Sequence, residues 1–392
     1  MTAGRRVRGA SLDGSHVETV RHGMMSAVPD QPLALRAVRG SLRGLAGLPP
    51  RGLRVLAGRQ RVVDGQTVLP EVQIMLRLLD NAPGQAIEDL DLEAAREELD
   101  AEAWLFAGAV HVAAVRDIQV PGAAGPLDVR VYDPAPGRGK GLLVWFHPGG
   151  YCLGSLETSD AVCRHLARYS GQAVASVAYR LAPEAPFPAA VEDAVAATRY
   201  LRDHVAEVAS PGGRVAVGGE SSGATLAAVV AREVVEDDAP ELAFQLLVTP
   251  LVDLVGRRPS HQVYGDGFGL TTRLVDWYAD HYLGYLGADR GAGGGAGADV
   301  AADPRLNPLR YTSLRGVAPA HVVVAGLDPL RDEGLELADK LRADGVEVSV
   351  DDVSGFIHAA INATGLSRTA RGILQRCADE LRDHLAPRLT RS

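Results

Sequence analysis

At 392 residues, 46% hydrophobic and 23% charged, the chain has the composition of an ordinary globular protein with enough apolar material for a large core. Its net charge of −9 is uneven: residues 1–61 hold eleven arginines against Asp13, Glu18 and Asp30, and the other 29 basic and 46 acidic residues leave the body at −17, which excludes the main domain as a nucleic-acid binder. Three scattered cysteines, Cys152, Cys163 and Cys377, make neither a disulfide framework nor a C-x-x-C metal pair, and no run of 18 apolar residues is present to span a membrane.

The N-terminal arginines are followed by no apolar h-region, so no secretory leader is expected and the expected compartment is the cytoplasm. Met24-Met25 leave a second start open. Residues 1–30 show no periodicity. From Leu33 to Leu56 apolar positions alternate with arginines and break at Pro49-Pro50, which predicts two short basic amphipathic helices. Further helices are predicted at Leu69–Leu79 and Leu92–Ala107. The arginine-rich head has two readings, a weak peripheral contact with an anionic surface and a segment packed on the cap or disordered; the second is preferred.

Beyond Ala109 the pattern changes. Val110–Val120 and Leu127–Tyr132 alternate apolar and polar residues around Pro-Gly and Gly-Pro, which predicts a hairpin. Leu142–Phe146 is wholly apolar and reads as a central strand. Strands at Ala173–Tyr179, Arg214–Gly218 and Ala243–Val248 then alternate with helices at Ser159–Tyr169, Ala189–Val208 and Ser222–Val235. The alternation pauses for a helix at Thr272–Leu283 and a low-complexity loop at Gly287–Ala298, read as surface. It resumes with strands His321–Ala325 and Glu347–Val350 and helices Arg331–Ala343 and Leu366–Leu385. Eight strands, mostly parallel, with helices on both faces are expected.

Within that frame Gly219-Glu220-Ser221-Ser222-Gly223 falls between a strand and an Ala-rich helix. A serine on such a turn is lifted above the sheet, and glycines two before and two after make room for it. A serine hydroxyl needs a base to take its proton, and the base needs a third group to orient it. Loops at the carboxyl ends of parallel strands are where partners belong. Asp328 follows His321–Ala325, and His358 follows Glu347–Val350. Asp332 and Glu333 are read as helix-start residues, and His321 and His384 as structural. Amides of Ser222 and of the His147-Pro148-Gly149-Gly150-Tyr151 turn would supply oxyanion donors. His147 has no companions at metal-ligand spacing, and no metal is expected.

From about Leu69 onward the chain resembles the hormone-sensitive-lipase family of α/β-hydrolase esterases, bacterial family IV, in its actinobacterial form. His147-Pro-Gly-Gly-Tyr-Cys-Leu-Gly-Ser155 is similar to that family's H-G-G-G turn. Tyr179-Arg-Leu-Ala-Pro-Glu184 with Phe187-Pro-Ala-Ala-Val-Glu-Asp193, Asp328-Pro-Leu-Arg-Asp332 and Phe356-Ile-His358 match its other signatures. The resemblance implies an α/β-hydrolase fold with a helical cap, Ser221 as nucleophile, Asp328 as acid, His358 as base, and Gly149, Gly150 and Ser222 as oxyanion donors, with His147 and Tyr151 placed in the substrate pocket. On this basis residues 1–60 are a basic extension, 61–108 N-terminal cap helices, 109–251 and 306–392 the core, and 252–305 a cap insertion.

The expected activity is cofactor-independent hydrolysis of small short- to medium-chain carboxylic esters through an acyl-enzyme, in a chain able to form a homodimer. A deacetylase or amidase with the same triad and a non-catalytic ligand receptor on the same fold are the alternatives. Three local departures stand out: Pro148 for the first glycine of the turn, Glu220 and Ser222 for Asp and Ala beside the nucleophile, and Ala359-Ala360 for Gly-Phe after the histidine.

Overall fold

The structure, a computed structural model, describes residues 19–21, 33–81, 85–138, 140–284 and 302–386. The Gly-rich loop at 287–298 and most of residues 1–32 lie outside that set. The chain begins with strand β1 (Thr19–Arg21), α1 (Leu33–Ala46) and α2 (Pro50–Ala57). The break between the two helices falls at the predicted prolines: Pro49 is extended at φ −64° and ψ 156°, and Pro50 takes the first helical position, where its missing N–H costs nothing. A small ribbon of β2 (Val62–Val63) and β3 (Gln66–Thr67) leads to α3 (Pro70–Asp80) and α4 (Leu92–Phe106). Asp91 caps α4 by accepting the Ala94 N–H at 2.9 Å.

The main elements follow as β4 (Ala114–Pro121), β5 (Pro126–Asp133), β6 (Leu142–Phe146), α5 (Asp160–Ser170), β7 (Ala173–Val177), α6 (Ala189–Asp203), α7 (Val205–Val208), β8 (Val215–Glu220), α8 (Ser222–Glu233) and β9 (Phe244–Val248). Then come α9 (Pro259–Tyr264), α10 (Thr272–Tyr282), β10 (Ala320–Ala325), α11 (Arg331–Ala343), β11 (Val348–Val353) and α12 (Arg368–Leu385). The predicted helix over 189–208 is two helices, because His204 leaves helical geometry at φ −110° and its ring N–H donates to the Tyr200 carbonyl at 2.9 Å.

Strands β4 to β11 form the expected eight-stranded sheet, and β1 adds a short antiparallel strand at its edge, in the order β1-β4-β5-β7-β6-β8-β9-β10-β11. Pairing is antiparallel as far as β5–β7 and parallel from β7 to β11. From β6 the chain goes first to one neighbour, β7, and then to the other, β8. Helices leave opposite sides of that reversal, which opens a crevice beyond the carboxyl ends of β6 and β8.

Alternate side chains of each strand serve different cores. Leu143, Trp145 and Ala216 pack with α5 and α12, whereas Leu142, Val144, Phe146 and Val217 pack with α6, α8 and α11. Strands β6 to β10 are buried along their whole length, as the uninterrupted apolar runs require. No described helix is long and apolar enough to cross a membrane.

Two arginine anchors tie the loops at the carboxyl edge. Arg96 of α4 reaches the Cys152 and Ala182 carbonyls at 3.0 and 3.1 Å and both carboxylate oxygens of Glu184. Arg180 pairs with Asp193, which is fully buried and also accepts the Ala123 and Arg180 amides at 3.0 and 3.1 Å. Removing a buried partner strands the other groups. Asp193→Ala is therefore expected to lower unfolding free energy by about 3 kcal/mol, measured by urea denaturation; a loss within error of zero would show that the network is not needed for stability.

Candidate active site

Ser221 is held at φ 55° and ψ −122°, a backbone region that costs a non-glycine residue energy. Backbone bonds hold it there. Its N–H donates to Val248 O at 2.9 Å, and its carbonyl accepts from Leu251, Ala224 and Thr225 at 3.2, 3.0 and 3.3 Å. The flanking glycines are there for space. A Cβ on Gly223 would lie 2.0 Å from the Phe146 carbonyl oxygen, and one on Gly219 would lie 2.3 Å from the Gly223 backbone. Strand β8 and helix α8 can therefore cross only at glycine, and the crossing lifts Ser221 out of the sheet edge.

Strands β10 and β11 deliver the other two groups. Leu327 N–H donates to Phe356 O at 2.9 Å, which ties the Asp328 turn to the His358 loop. Asp328 Oδ1 accepts the Leu330 amide at 2.8 Å, leaving Oδ2 to face His358 Nδ1 at 2.8 Å. His358 Nε2 lies 3.0 Å from Ser221 Oγ. A ring N–H donated to Asp328 leaves Nε2 with a lone pair toward the serine hydroxyl. All three residues are buried. Burial alone would lower the His358 pKa, but the Asp328 charge, its hydrogen bond and then the Glu220 charge outweigh it and hold the imidazole above its ordinary value.

Glu220 is fully buried beside them, and Asn362 Nδ2 lies 2.9 Å from each of its oxygens. Burial pushes this carboxyl up to about 7, against the Asn362 hydrogen bond and the His358 charge. Asn362 had no motif to mark it; its role comes from packing alone.

The turn after β6 completes the site. Gly149 and Gly150 have φ of 123° and 59°. A Cβ on Gly150 would meet the Tyr278 ring at 2.1 Å, so only glycine lets this loop pass beneath α10. Neither glycine N–H is engaged by another group among the described residues, and the Ser222 N–H, at the first position of α8, has no partner inside the helix. Pro148, Gly149, Gly150, Ser221 and His358 line one cavity of 590 Å³. Its apolar walls come from α3, α4 and α10, with Met75, Leu99 and Leu274 among them.

His147 and Tyr151 correct the expectation that placed them in the pocket. Neither lines the cavity. The His147 ring stacks on Tyr179 at 4.2 Å and donates to Pro148 O, and the Tyr179 hydroxyl donates to His147 O at 2.8 Å. Burial lowers His147 to about 4, so it is neutral. Tyr151 stacks on Tyr282 at 4.0 Å. Both brace the turn from below, and a sequence motif cannot show on which side of a loop a ring packs.

The other acids and histidines weighed earlier have structural positions. Asp332 accepts the Ser260 amide at 2.9 Å, and buried Glu333 accepts that of Val252 at 2.7 Å. His321 bonds Ser349 Oγ at 2.7 Å, and His384 stacks on Phe244.

A family profile described as alpha/beta hydrolase fold matches residues 143–362. The carboxylic ester hydrolase LipN of Mycobacterium tuberculosis (strain ATCC 25618 / H37Rv) is 38% identical over 359 residues, covering 89% of this chain and 92% of that protein. The ethyl acetate hydrolase of Pseudomonas putida is 32% identical, covering 81% of this chain and 99% of that protein. Among solved structures, an ester hydrolase from the metagenome of Lake Arreo, complexed with a derivative of bipyridine phosphonate, superposes with a TM-score of 0.74 at 31% identity, covering 82% of this chain and all of the other.

Ala359 carries strain next to His358: its φ is 59°, where the resembling motif has glycine. Left-handed backbone costs an alanine about 1–2 kcal/mol, more than the chain entropy a glycine adds, about 0.5–1 kcal/mol. Ala359→Gly is expected to raise the melting temperature by the equivalent of about 0.5–1 kcal/mol, read by calorimetry. A lower melting temperature would mean that the alanine methyl packs too well to lose.

Proposed function

The chain belongs to the hormone-sensitive-lipase family of α/β hydrolases and is a carboxylic ester hydrolase, and from that premise we propose that Ser221, His358 and Asp328 carry the reaction on short- to medium-chain esters. The observation that supports it is the chain of contacts at 3.0 and 2.8 Å linking Ser221 Oγ, His358 and Asp328 inside a cavity of 590 Å³. The same contacts speak against a non-catalytic receptor, which has no need of a base beside the serine.

His358 Nε2 takes the Ser221 proton as Oγ attacks the ester carbonyl, and Asp328 stabilises the imidazolium that forms. The carbonyl oxygen becomes an oxyanion, received by the N–H groups of Gly149, Gly150 and Ser222. The imidazolium gives its proton to the departing alkoxide, leaving an acyl-enzyme and the free alcohol. Water, deprotonated by the same nitrogen, attacks the acyl carbonyl; Ser221 leaves and regains its proton, and the carboxylic acid departs. The apolar walls and modest volume suit acyl chains of short to medium length. The three cysteines are buried free thiols, which suits a reducing, cytoplasmic compartment.

Ser221→Ala is expected to cut kcat on p-nitrophenyl acetate by about 10⁴-fold or more and to abolish labelling by a fluorophosphonate, with the fold retained by circular dichroism. Near-wild-type turnover would refute the role given to Ser221. The imidazole must be neutral to act as base, so kcat/KM should rise with pH through a His358 pKa above the ordinary histidine value. Glu220 contributes to that elevation, so Glu220→Gln should shift the acid limb of the pH–rate profile to lower pH. A limb that stays put or moves up would show that Glu220 does not act on His358 through its charge.

A further inference from the structure

Apart from His358, the charged residues set in the otherwise apolar walls of the reaction cavity carry one sign only. Asp80, Glu88, Glu98, Glu102 and Asp266 line it, and among the described residues no lysine or arginine does. Glu88 is partly matched, with Arg273 at 3.8 Å and the Thr271 hydroxyl at 3.3 Å. Glu98 and Glu102 are not: they stand one turn apart on α4, with no cationic side chain within 4.0 Å among the described residues. Glu102 is partly buried in the cavity wall. Burial first, and the Glu98 charge second, push it up to about 7.

This arrangement is unfavourable for the empty protein. Like charges at i and i+4 repel, and a carboxylate near the carboxyl end of a helix opposes the helix dipole. Glu93, Glu97 and Glu98 are exposed on the same helix, where water solvates them, whereas Glu102 is partly buried. Its position is close to the chemistry. The Tyr278 ring, which packs on Gly150, has its hydroxyl pushed up by burial and then by the charges of Cys152, Glu88 and Glu102. Tyr278 and Phe106 add aromatic surface to the same cavity.

We propose that the preferred substrate is an ester bearing an ammonium group, received by Glu102 with Glu98 beside it and by the rings of Tyr278 and Phe106. A cation placed there satisfies the unmatched carboxylates, gains cation–π contact and is drawn in by a field of one sign within low-dielectric walls. The inference rests on the reading of Ser221 as the nucleophile of this cavity.

The test compares charged esters with uncharged isosteres. One pair places the charge in the alcohol, as 2-(trimethylammonio)ethyl butyrate against 3,3-dimethylbutyl butyrate. The other places it in the acyl part, as the p-nitrophenyl esters of 4-(trimethylammonio)butyrate and 5,5-dimethylhexanoate. In wild type the charged ester of at least one pair should have a kcat/KM about ten-fold above its isostere. Glu102→Gln should bring that ratio to within about two-fold of unity, and Glu102→Asp should restore part of it. A wild-type ratio near unity in both pairs, or a ratio that Glu102→Gln leaves unchanged, overturns this inference alone, because the neutral esters are still hydrolysed in a Ser221-dependent way. A wild type that hydrolyses none of the four esters overturns the underlying reading as well.

Discussion

Backbone contact between β6 and α8 sets the geometry from which the rest of the site follows. With a Cβ on Gly223 excluded at 2.0 Å from Phe146 O, and one on Gly219 at 2.3 Å from Gly223, helix and strands approach more closely than side chains allow. That approach turns the chain sharply at Ser221 and holds it at positive φ. It also brings the start of α8 beside the turn after β6, so Gly149 and Gly150 line one cavity with Ser221. Conformational strain of this kind persists only where the surroundings over-determine it, and the buried strands on either side do so here.

Electrostatics then assigns different tasks to similar groups. Asp328 and Glu220 both bear on His358, but Asp328 spends one oxygen on the Leu330 amide and the other on the ring, while Glu220 is held off by Asn362. The first faces the ring nitrogen that carries the proton; the second bonds Asn362 and not the ring. His147 sits just as deep and is neutral, because its ring has a carbonyl and a tyrosine face for company and no carboxylate. The same imidazole is thus a bracing group in one loop and a titrating group in another.

Much of this was legible before any coordinates. The wholly apolar runs at 142–146 and 243–248 could only be strands buried on both faces, and their alternation with helical segments predicts a parallel sheet. Glycines two positions either side of Ser221 mark the crossing because no other residue fits it. Asp328 and His358 were found by their places after strands. Less was legible where meaning depends on packing. His147 and Tyr151 lie in the right turn but face away from the cavity, helix α9 is too short to show a period, and Asn362 meets Glu220 across 142 residues of chain.

The division has a physical basis. Strand burial, the glycine-only crossing, the placing of Ser221, Asp328 and His358 after strands, and the break at Pro49-Pro50 are properties of short stretches and the backbone chemistry of their residues, so sequence alone determined them. Which rings brace the turn, which side chain meets Glu220 and which carboxylates face the cavity are relations between segments tens to hundreds of residues apart. Only the tertiary structure decided those, because a side chain's partner is set by how helices pack on the sheet and not by its neighbours in the chain.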